Sequence, residues 1–251
     1  MTKIVLATLI NDDFCRLKKL AQNTVSCGLL TILGNMNRYN AGRDFEVILV
    51  VNKRAEDAQD QQIQNKISVC NSLPQEYGFV KQVLYHDNSG TDVGAYNLGY
   101  QYLKEITYAG DVLFMNTSLS GPSEDYWLLK YYVAFHKYPD VGLCGISMNS
   151  HDTNMSGNPP FKPHVQSFFL YTSMSVLTDV FPENLSGFRS QEKLDVIENG
   201  EIGISAKVLE KAYSIVCYNF PFFYFKTGTE WIIPFGELRG LRQYHELANK
   251  I

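Results

Sequence analysis

The chain has 251 residues, enough for one large α/β domain, and its 45% hydrophobic and 19% charged content is that of a protein with a substantial core. Formal net charge is -4 and no stretch is densely basic, which excludes a phosphate-backbone partner and a basic membrane-surface helix. No apolar run reaches the length of a membrane span or carries a signal-peptide cleavage site, so the expected setting is cytoplasmic.

Elements follow in order. Ile4–Ile10 is a short continuous apolar run, the mark of a strand buried on both faces. Asp12 or Asp13 is placed to cap a helix over Phe14–Met36, where apolar residues recur at three and four. Phe45–Val51 reads as a second buried strand ending at Asn52, and the Gln-rich stretch Ala55–Leu73 as a solvated helix. A strand at Val80–Tyr85, a loop at His86–Asp92, a helix at Gly94–Ile106 and a strand at Asp111–Met115 come next. Gly121-Pro122 is expected to open a helix, with Pro122 in its first turn, and Val141–Met148 to form a fifth strand.

Asn149–Pro163, rich in Ser, Asn, Gly and Pro, reads as a loop able to cover a site. Beyond it the pattern predicts a strand at His164–Tyr171, a short helix at Ser173–Val180, a turn at Gly187-Phe188, a helix at Ile202–Ala212 and a strand at Ser214–Tyr218. Phe220–Phe225 is an aromatic cluster, more in keeping with a core strand than with an acceptor-stacking or membrane-touching surface. Alternating strands and helices predict a mostly parallel sheet with helices on both faces, and ligands in such sheets sit past the carboxyl ends of the strands. The polar residues at those ends are therefore the candidates.

Five scattered cysteines, Cys15, Cys27, Cys70, Cys144 and Cys217, contain no C-x-x-C pair and read as buried free thiols. Histidine and cysteine spacing gives no zinc set, and no nucleophile elbow, Walker loop or dinucleotide-binding glycine motif is present.

The run Asn88-Ser89-Gly90-Thr91-Asp92-Val93-Gly94-Ala95, followed by Phe114-Met115-Asn116-Thr117-Ser118 and Gly121-Pro122, resembles the N-x-G loop, helix and strand of GT-A glycosyltransferases. It is most similar to polysaccharide-synthesis glycosyltransferases, a group that includes rhamnan-synthesis-like proteins. His164-Val165-Gln166-Ser167 resembles that group's H-V-Q-S strand, and Gly187-Phe188 the G-F turn of family 2 enzymes. Glu198-Asn199-Gly200-Glu201 through Tyr213 looks like the E-D-x-x-L-x-x-R-L stretch, with Glu201 where the catalytic Asp falls. The likeness spans roughly residues 3 to 218.

What the resemblance implies is a single GT-A-type α/β domain: a nucleotide-binding half over 1–118, an acceptor and catalytic half over 119–218, and an extension over 219–251. The implied activity is transfer of a sugar from a nucleotide-sugar donor to a glycan or glycoconjugate acceptor, with inversion, in polysaccharide biosynthesis. Glu201 is the candidate base, set at a helix N-terminus just past a glycine, with Glu198 as the fallback; a Glu in a first helical turn also simply complements the macrodipole. Thr8, Leu9, Asn11, Asn52, Asn88, Gly90, Asp92, Asn116, Thr117 and Ser118 are candidates for the nucleotide and donor sugar, with Asn52 where many relatives read the base with an Asp. Gly90 and Gly94 would let backbone approach the ligand, and Asp92 is either a ligand for sugar hydroxyls or a helix N-cap. His164 and Gln166 alternate, so both would face one side of a strand lining the donor or acceptor pocket.

Asn116-Thr117-Ser118 stands where the fold family carries D-x-D. A divalent Mn²⁺ or Mg²⁺ is thus possible but not signalled, since neutral amide and hydroxyl groups are weak ligands. Two other classes fit the same pattern: a degenerate GT-A domain that only binds a glycan or a partner, and a sugar-nucleotide nucleotidyltransferase. The second would want a basic Gly-rich loop after the first strand, where Thr8–Asp13 offers acids.

Overall fold

The computed structural model describes residues 1–11, 14, 16–20, 23–55, 57, 60–151, 161–190, 192–218 and 220–227. Its strands and helices run β1 (Thr2–Leu9), β2 (Arg16–Leu20), β3 (Asn23–Cys27), α1 (Leu29–Arg38), β4 (Phe45–Asn52), α2 (Gln61–Glu76), β5 (Val80–His86), α3 (Thr91–Glu105), β6 (Asp111–Asn116) and α4 (Trp127–His136). Then come β7 (Val141–Gly145), β8 (Met148–His151), β9 (Phe161–Val165), β10 (Phe169–Ser173), α5 (Met174–Val180), α6 (Lys193–Asp195), a π-helical segment (Val196–Ile202), α7 (Gly203–Glu210), β11 (Ser214–Cys217) and β12 (Phe220–Phe225).

Eight strands form one sheet in the order β12-β11-β7-β10-β6-β1-β4-β5. β1 pairs in parallel with β4 and β6, β4 with β5, and β7 with β11; β10 and β12 pair antiparallel with their neighbours. This is the mostly parallel, Rossmann-like α/β sheet that the alternating pattern predicts. β1 and β4 are apolar runs because neither face meets water: Ile4, Val5, Leu6, Ala7 and Val47 to Val51 are all buried. α3 packs along β1, β4 and β5, α4 along β7 and β10, and α7 along β7 and β11. Gly99 allows the closest of these approaches, since a Cβ there would lie 2.4 Å from Val5 Cγ1.

Register sets the site. Leu9 lies opposite Asn52, Asn52 opposite His86, and Ala7 opposite Asn116, so the polar ends of β4, β5 and β6 form one rank at the carboxyl edge.

Five expectations are corrected. Phe14–Met36 is not one helix: β2 and β3 form an antiparallel hairpin, and α1 starts only at Leu29. The Thr24-Val25 pair favours a strand, and Gly28 at φ 102° cannot sit inside a right-handed helix. The helix expected to open at Pro122 begins at Trp127. Asp125 Oδ1 accepts from Asn40 N at 2.8 Å and Tyr126 N donates to Asn40 O at 2.5 Å, tying this stretch to the loop after α1.

Val141–Met148 and His164–Tyr171 each split between two sheets. β8 and β9 leave to form a small antiparallel ribbon, with β9 crossing so close over β7 that a Cβ on Gly145 would lie 2.0 Å from Val165 Cγ1. The last helix does not start at Ile202. α6, the π segment and α7 run on continuously, which puts Glu201 inside a helical run rather than at its N-terminus.

Of the 149–163 loop, residues 152–160 lie outside the described residues, as do 228–251 of the C-terminal extension and Cys15. The aromatic cluster is β12, the edge strand beside β11. Cys27, Cys70, Cys144 and Cys217 are buried. Among the described residues no helix is long and apolar enough to cross a membrane.

Candidate functional site

Two clusters of polar side chains meet at the carboxyl edge. The first surrounds the Asn88–Asp92 loop. Asn52 is buried, with its Oδ1 2.9 Å from His86 Nδ1 and its Nδ2 donating to Thr91 O at 3.3 Å. Its amide is therefore turned to the protein rather than held out for a base. Burial lowers the His86 pKa, against a weaker opposite pull from Asp87, so His86 is a neutral ring at neutral pH. Asn88 and Thr91 take left-handed backbone angles, φ 67° and 50°, around Gly90 at φ 65°. That tight turn starts α3 and leaves Asp92 in its first turn.

Asp92 Oδ2 accepts from Asn116 Nδ2 at 2.6 Å, and Asn116 Oδ1 accepts from Ser118 N at 3.1 Å and Ser118 Oγ at 2.5 Å. Three candidates thus form one hydrogen-bonded set. Thr8 and Thr117 are buried and bonded to each other, Oγ1 to Oγ1 at 3.1 Å, and they tie β1 to β6. Leu9 ends β1, half-buried; Asn11 Nδ2 donates to Asp57 Oδ1 at 2.5 Å. A cleft of about 780 Å³ opens beside this rank, lined by Lys53, Arg54, Asp57, Gln64, Tyr85 and His86 among others.

The second cluster centres on Glu201, whose side chain is 18% exposed. Its Oε2 accepts from Ser167 N and from Ser167 Oγ, both at 2.7 Å, and its Oε1 lies 3.6 Å from His164 Nε2. His164 Nδ1 donates to Lys162 O at 2.7 Å, since a carbonyl only accepts, and Nε2 is the nitrogen turned to Glu201. Ser205 Oγ accepts from Val165 N at 3.0 Å, holding β9 against α7 and so His164 beside Glu201. Burial pushes the Glu201 pKa up, but the His164 contact and the Ser167 bonds outweigh it, and the carboxyl sits below its ordinary value. Glu201 is an ion at neutral pH.

Gln166 lies past the end of β9, with Ser147 Oγ donating to its Oε1 at 2.6 Å, and does not continue a strand face with His164. Glu198 points to solvent, 59% exposed, with Lys162 Nζ at 3.4 Å from its Oε1.

Tyr96 joins the clusters. It lies one helical turn after Asp92 on α3, is fully buried, and donates to Ser167 O at 3.0 Å. Burial drives its phenol pKa far up, and the Asp92 and Glu201 charges add to the rise.

The glycines that make this meeting possible serve packing between protein segments. A Cβ on Gly90 would lie 2.1 Å from Phe188 O, one on Gly94 1.8 Å from Ser89 O, and one on Gly187 2.4 Å from Gly200 N. Gly90 N donates to Ser190 O at 2.9 Å. The N-x-G loop thus rests on the G-F turn, and the G-F turn on the segment that carries Glu201. At Gly90 and Gly94 the close neighbour is the protein's own backbone.

Among the described residues no three His, Cys, Asp or Glu side chains come together as metal ligands. The set at the D-x-D position does not fit a cation: Asn116 turns its nitrogen to Asp92 and spends its oxygen on two Ser118 donors. Asn116→Asp would set two carboxylates against each other, raising the pKa of one. The folded state would then bind more protons than the unfolded one. The variant should melt below the wild type at pH 8, by about 1–3 kcal/mol, with the deficit shrinking as pH falls; thermal melts at pH 8 and pH 5 check this.

His86, Tyr96 and Ser167 are candidate-site residues that motif reading passed over. His86 carries a strand-end signal; Ser167 stands in the H-V-Q-S run without distinction.

A family model for RgpF, rhamnan synthesis protein F, matches residues 47–219. Among solved structures the chain is similar to that described as the crystal structure of 4-diphosphocytidyl-2C-methyl-D-erythritol synthase, at 12% identity and a TM-score of 0.47, over 97% of this chain and 99% of that one. Comparison with curated proteins finds no match.

Proposed function

The chain belongs to the rhamnan synthesis protein F family, and from that premise we propose that it is a GT-A-type, inverting glycosyltransferase of polysaccharide biosynthesis. The observation that carries this reading is Glu201: an ionised, mostly sheltered carboxylate with one oxygen fixed by Ser167 and the other turned toward His164.

A hydroxyl of a glycan or glycoconjugate acceptor gives its proton to Glu201 as its oxygen attacks the anomeric carbon of the donor sugar. The bond to the nucleoside diphosphate breaks on the opposite side, and the diphosphate leaves with the electron pair, inverting the centre. A base so placed contributes roughly 10²–10⁴-fold to the rate.

The half up to Ser118 takes the nucleotide-sugar. Its cleft beside His86 lies within the ~300–1,000 Å³ usual for small-ligand sites, and Lys53 and Arg54 on its wall suit a diphosphate. Asp92, Asn116 and Ser118 meet the donor through hydrogen bonds, and no step is routed through a metal. The half from 119 to 218 supplies the acceptor side, with His164 and Gln166 bordering it.

Binding is testable by thermal shift against UDP-, GDP-, CMP- and dTDP-sugars, each with EDTA and with Mn²⁺. A ligand at 100 times its Kd stabilises the fold by about 2.7 kcal/mol. The expected result is a shift with one nucleotide class that survives EDTA; no shift with any of them would count against the reading.

A further inference from the structure

We infer that Ser167 and Tyr96 are positioning residues that hold Glu201 as the base, through a bend in the chain made for that purpose. The inference rests on the reading of Glu201 given above.

Between β9 and β10 the chain stops pairing as a strand. Ser167 turns both its backbone N–H and its hydroxyl onto a single carboxylate oxygen, Glu201 Oε2, each at 2.7 Å. A backbone N–H diverted from a ladder to a side-chain ion is a specific arrangement, since a sheet would otherwise claim it. Two charge-assisted donors on one oxygen fix the rotation of the carboxyl plane. Oε1, the other oxygen, is thereby aimed to the side where His164 Nε2 lies 3.6 Å away, and it is the oxygen left for a substrate hydroxyl.

Ser167 is itself held from its carbonyl side. Tyr96 O–H donates to Ser167 O at 3.0 Å, from a ring that is fully buried and tilted against Phe114 at 5.2 Å between centroids. Tyr96 rides on α3 one turn from Asp92, and Asp92 is bonded to Asn116. A rigid path of hydrogen bonds thus runs from the donor side (Asn116, Asp92) through α3 and Tyr96 to Ser167 and the base. The titratable groups beside Glu201 are His164 from β9 and Tyr96 from α3, with Lys162 and Glu198 paired farther out.

The experiment measures transfer kinetics and their pH profiles for S167A, S167T and Y96F beside E201Q, together with thermal melts of all four across pH. Glu201 stabilises the fold above the ordinary carboxylate range, and that contribution is lost as pH falls through its depressed folded pKa. Without the Ser167 hydroxyl the burial effect gains ground, so in S167A the acid limb of activity and of stability moves to higher pH.

The expected kinetic result is a kcat about 10- to 100-fold lower with donor KM unchanged, as for a base displaced by an ångström or less. S167T restores the hydroxyl and most of the activity. Y96F keeps the ring packing, removes the donor to Ser167 O, and lowers kcat in the same sense. A residue that merely supports the fold would lower Tm without moving the acid limb. Wild-type kcat and an unmoved limb in both S167A and Y96F, with E201Q inactive, would overturn the inference and leave Glu201 as the base. An active E201Q would overturn the reading of Glu201 itself, while the melts would still decide whether Ser167 clamps the carboxylate.

Discussion

Glu201→Gln should reduce sugar transfer by roughly 10²–10⁴-fold while the protein keeps its fold and its affinity for the nucleotide. The substitution is nearly isosteric, and its amide oxygen can still accept from Ser167 N and Oγ, so the hydrogen bonds at 2.7 Å have a partner to receive them. What is lost is a group able to take the acceptor proton at neutral pH. On the proposed reading, donor binding belongs to the Asn88–Asp92 and Asn116–Ser118 side of the site and does not need the Glu201 charge. A kcat that collapses beside an unchanged nucleotide Kd is therefore the expected split; a joint loss of both would mean that the Gln variant had disturbed the packing around Gly200. Glu198→Gln is the natural control. Its side chain lies in solvent against Lys162, and its replacement should leave kcat within a few-fold of wild type.

Gly187→Ala should be among the most damaging single-methyl changes in the protein. Gly187 sits at φ 74°, where an L side chain costs about 1–2 kcal/mol. Its new Cβ would also stand 2.4 Å from Gly200 N and 2.6 Å from Gly200 Cα, which are backbone atoms that cannot rotate away. Overpacking of that kind adds roughly 1–3 kcal/mol. Together the loss is about 2–5 kcal/mol, a large share of the ~5–15 kcal/mol that a domain holds in total.

The effect should not stop at stability. Gly200 precedes Glu201, so the surviving folded molecules should carry a displaced base and a lower kcat. Gly34→Ala makes the contrast, because Gly34 lies within α1 with open space around its Cα. There the change should be neutral or stabilising by roughly 0.5–1 kcal/mol. Chemical denaturation of both variants checks the pair.

The legible parts of the fold were those in which one local rule had no rival. The stretches Ile4–Ala7, Val47–Val51 and Val112–Met115 are apolar throughout because strands in mid-sheet meet no water, and each is followed directly by a polar residue, Thr8, Asn52 or Asn116. The Arg16–Cys27 hairpin was hidden because its apolar residues also suit a helical spacing. Only Gly28, needed at positive φ, separates the ribbon from the helix after it.

The segment from Val141 to Tyr171 misled for a different reason. Two strands there leave the main sheet, and nothing in an alternating pattern says which neighbour a strand will choose. The Gln166–Phe168 bend was likewise illegible, since its cause is a carboxylate 34 residues further along the chain. That failure falls at the candidate site, where local rules are expected to give way. The same holds for the π-helical run under Glu201.

Of the site, the motif order marked Glu201, His164, Asp92 and Asn116, and the structure brings these into two adjoining clusters. Ser167 and Tyr96 were passed over because their importance comes from geometry rather than from residue type. A serine matters here through the direction of its N–H, and a tyrosine through one hydroxyl at the end of a buried ring.

The most direct measurement is ³¹P NMR of the protein with the nucleotide-sugar that stabilises it, in the presence and absence of an oligosaccharide acceptor. Glycosyl transfer through Glu201 predicts that the nucleotide-sugar signals give way to free nucleoside diphosphate, or monophosphate for a CMP-sugar. That change should come only with acceptor present and be largely lost in E201Q. Release of pyrophosphate from a nucleoside triphosphate and a sugar phosphate, with no acceptor-dependent loss of nucleotide-sugar, would contradict it and identify nucleotidyl transfer instead.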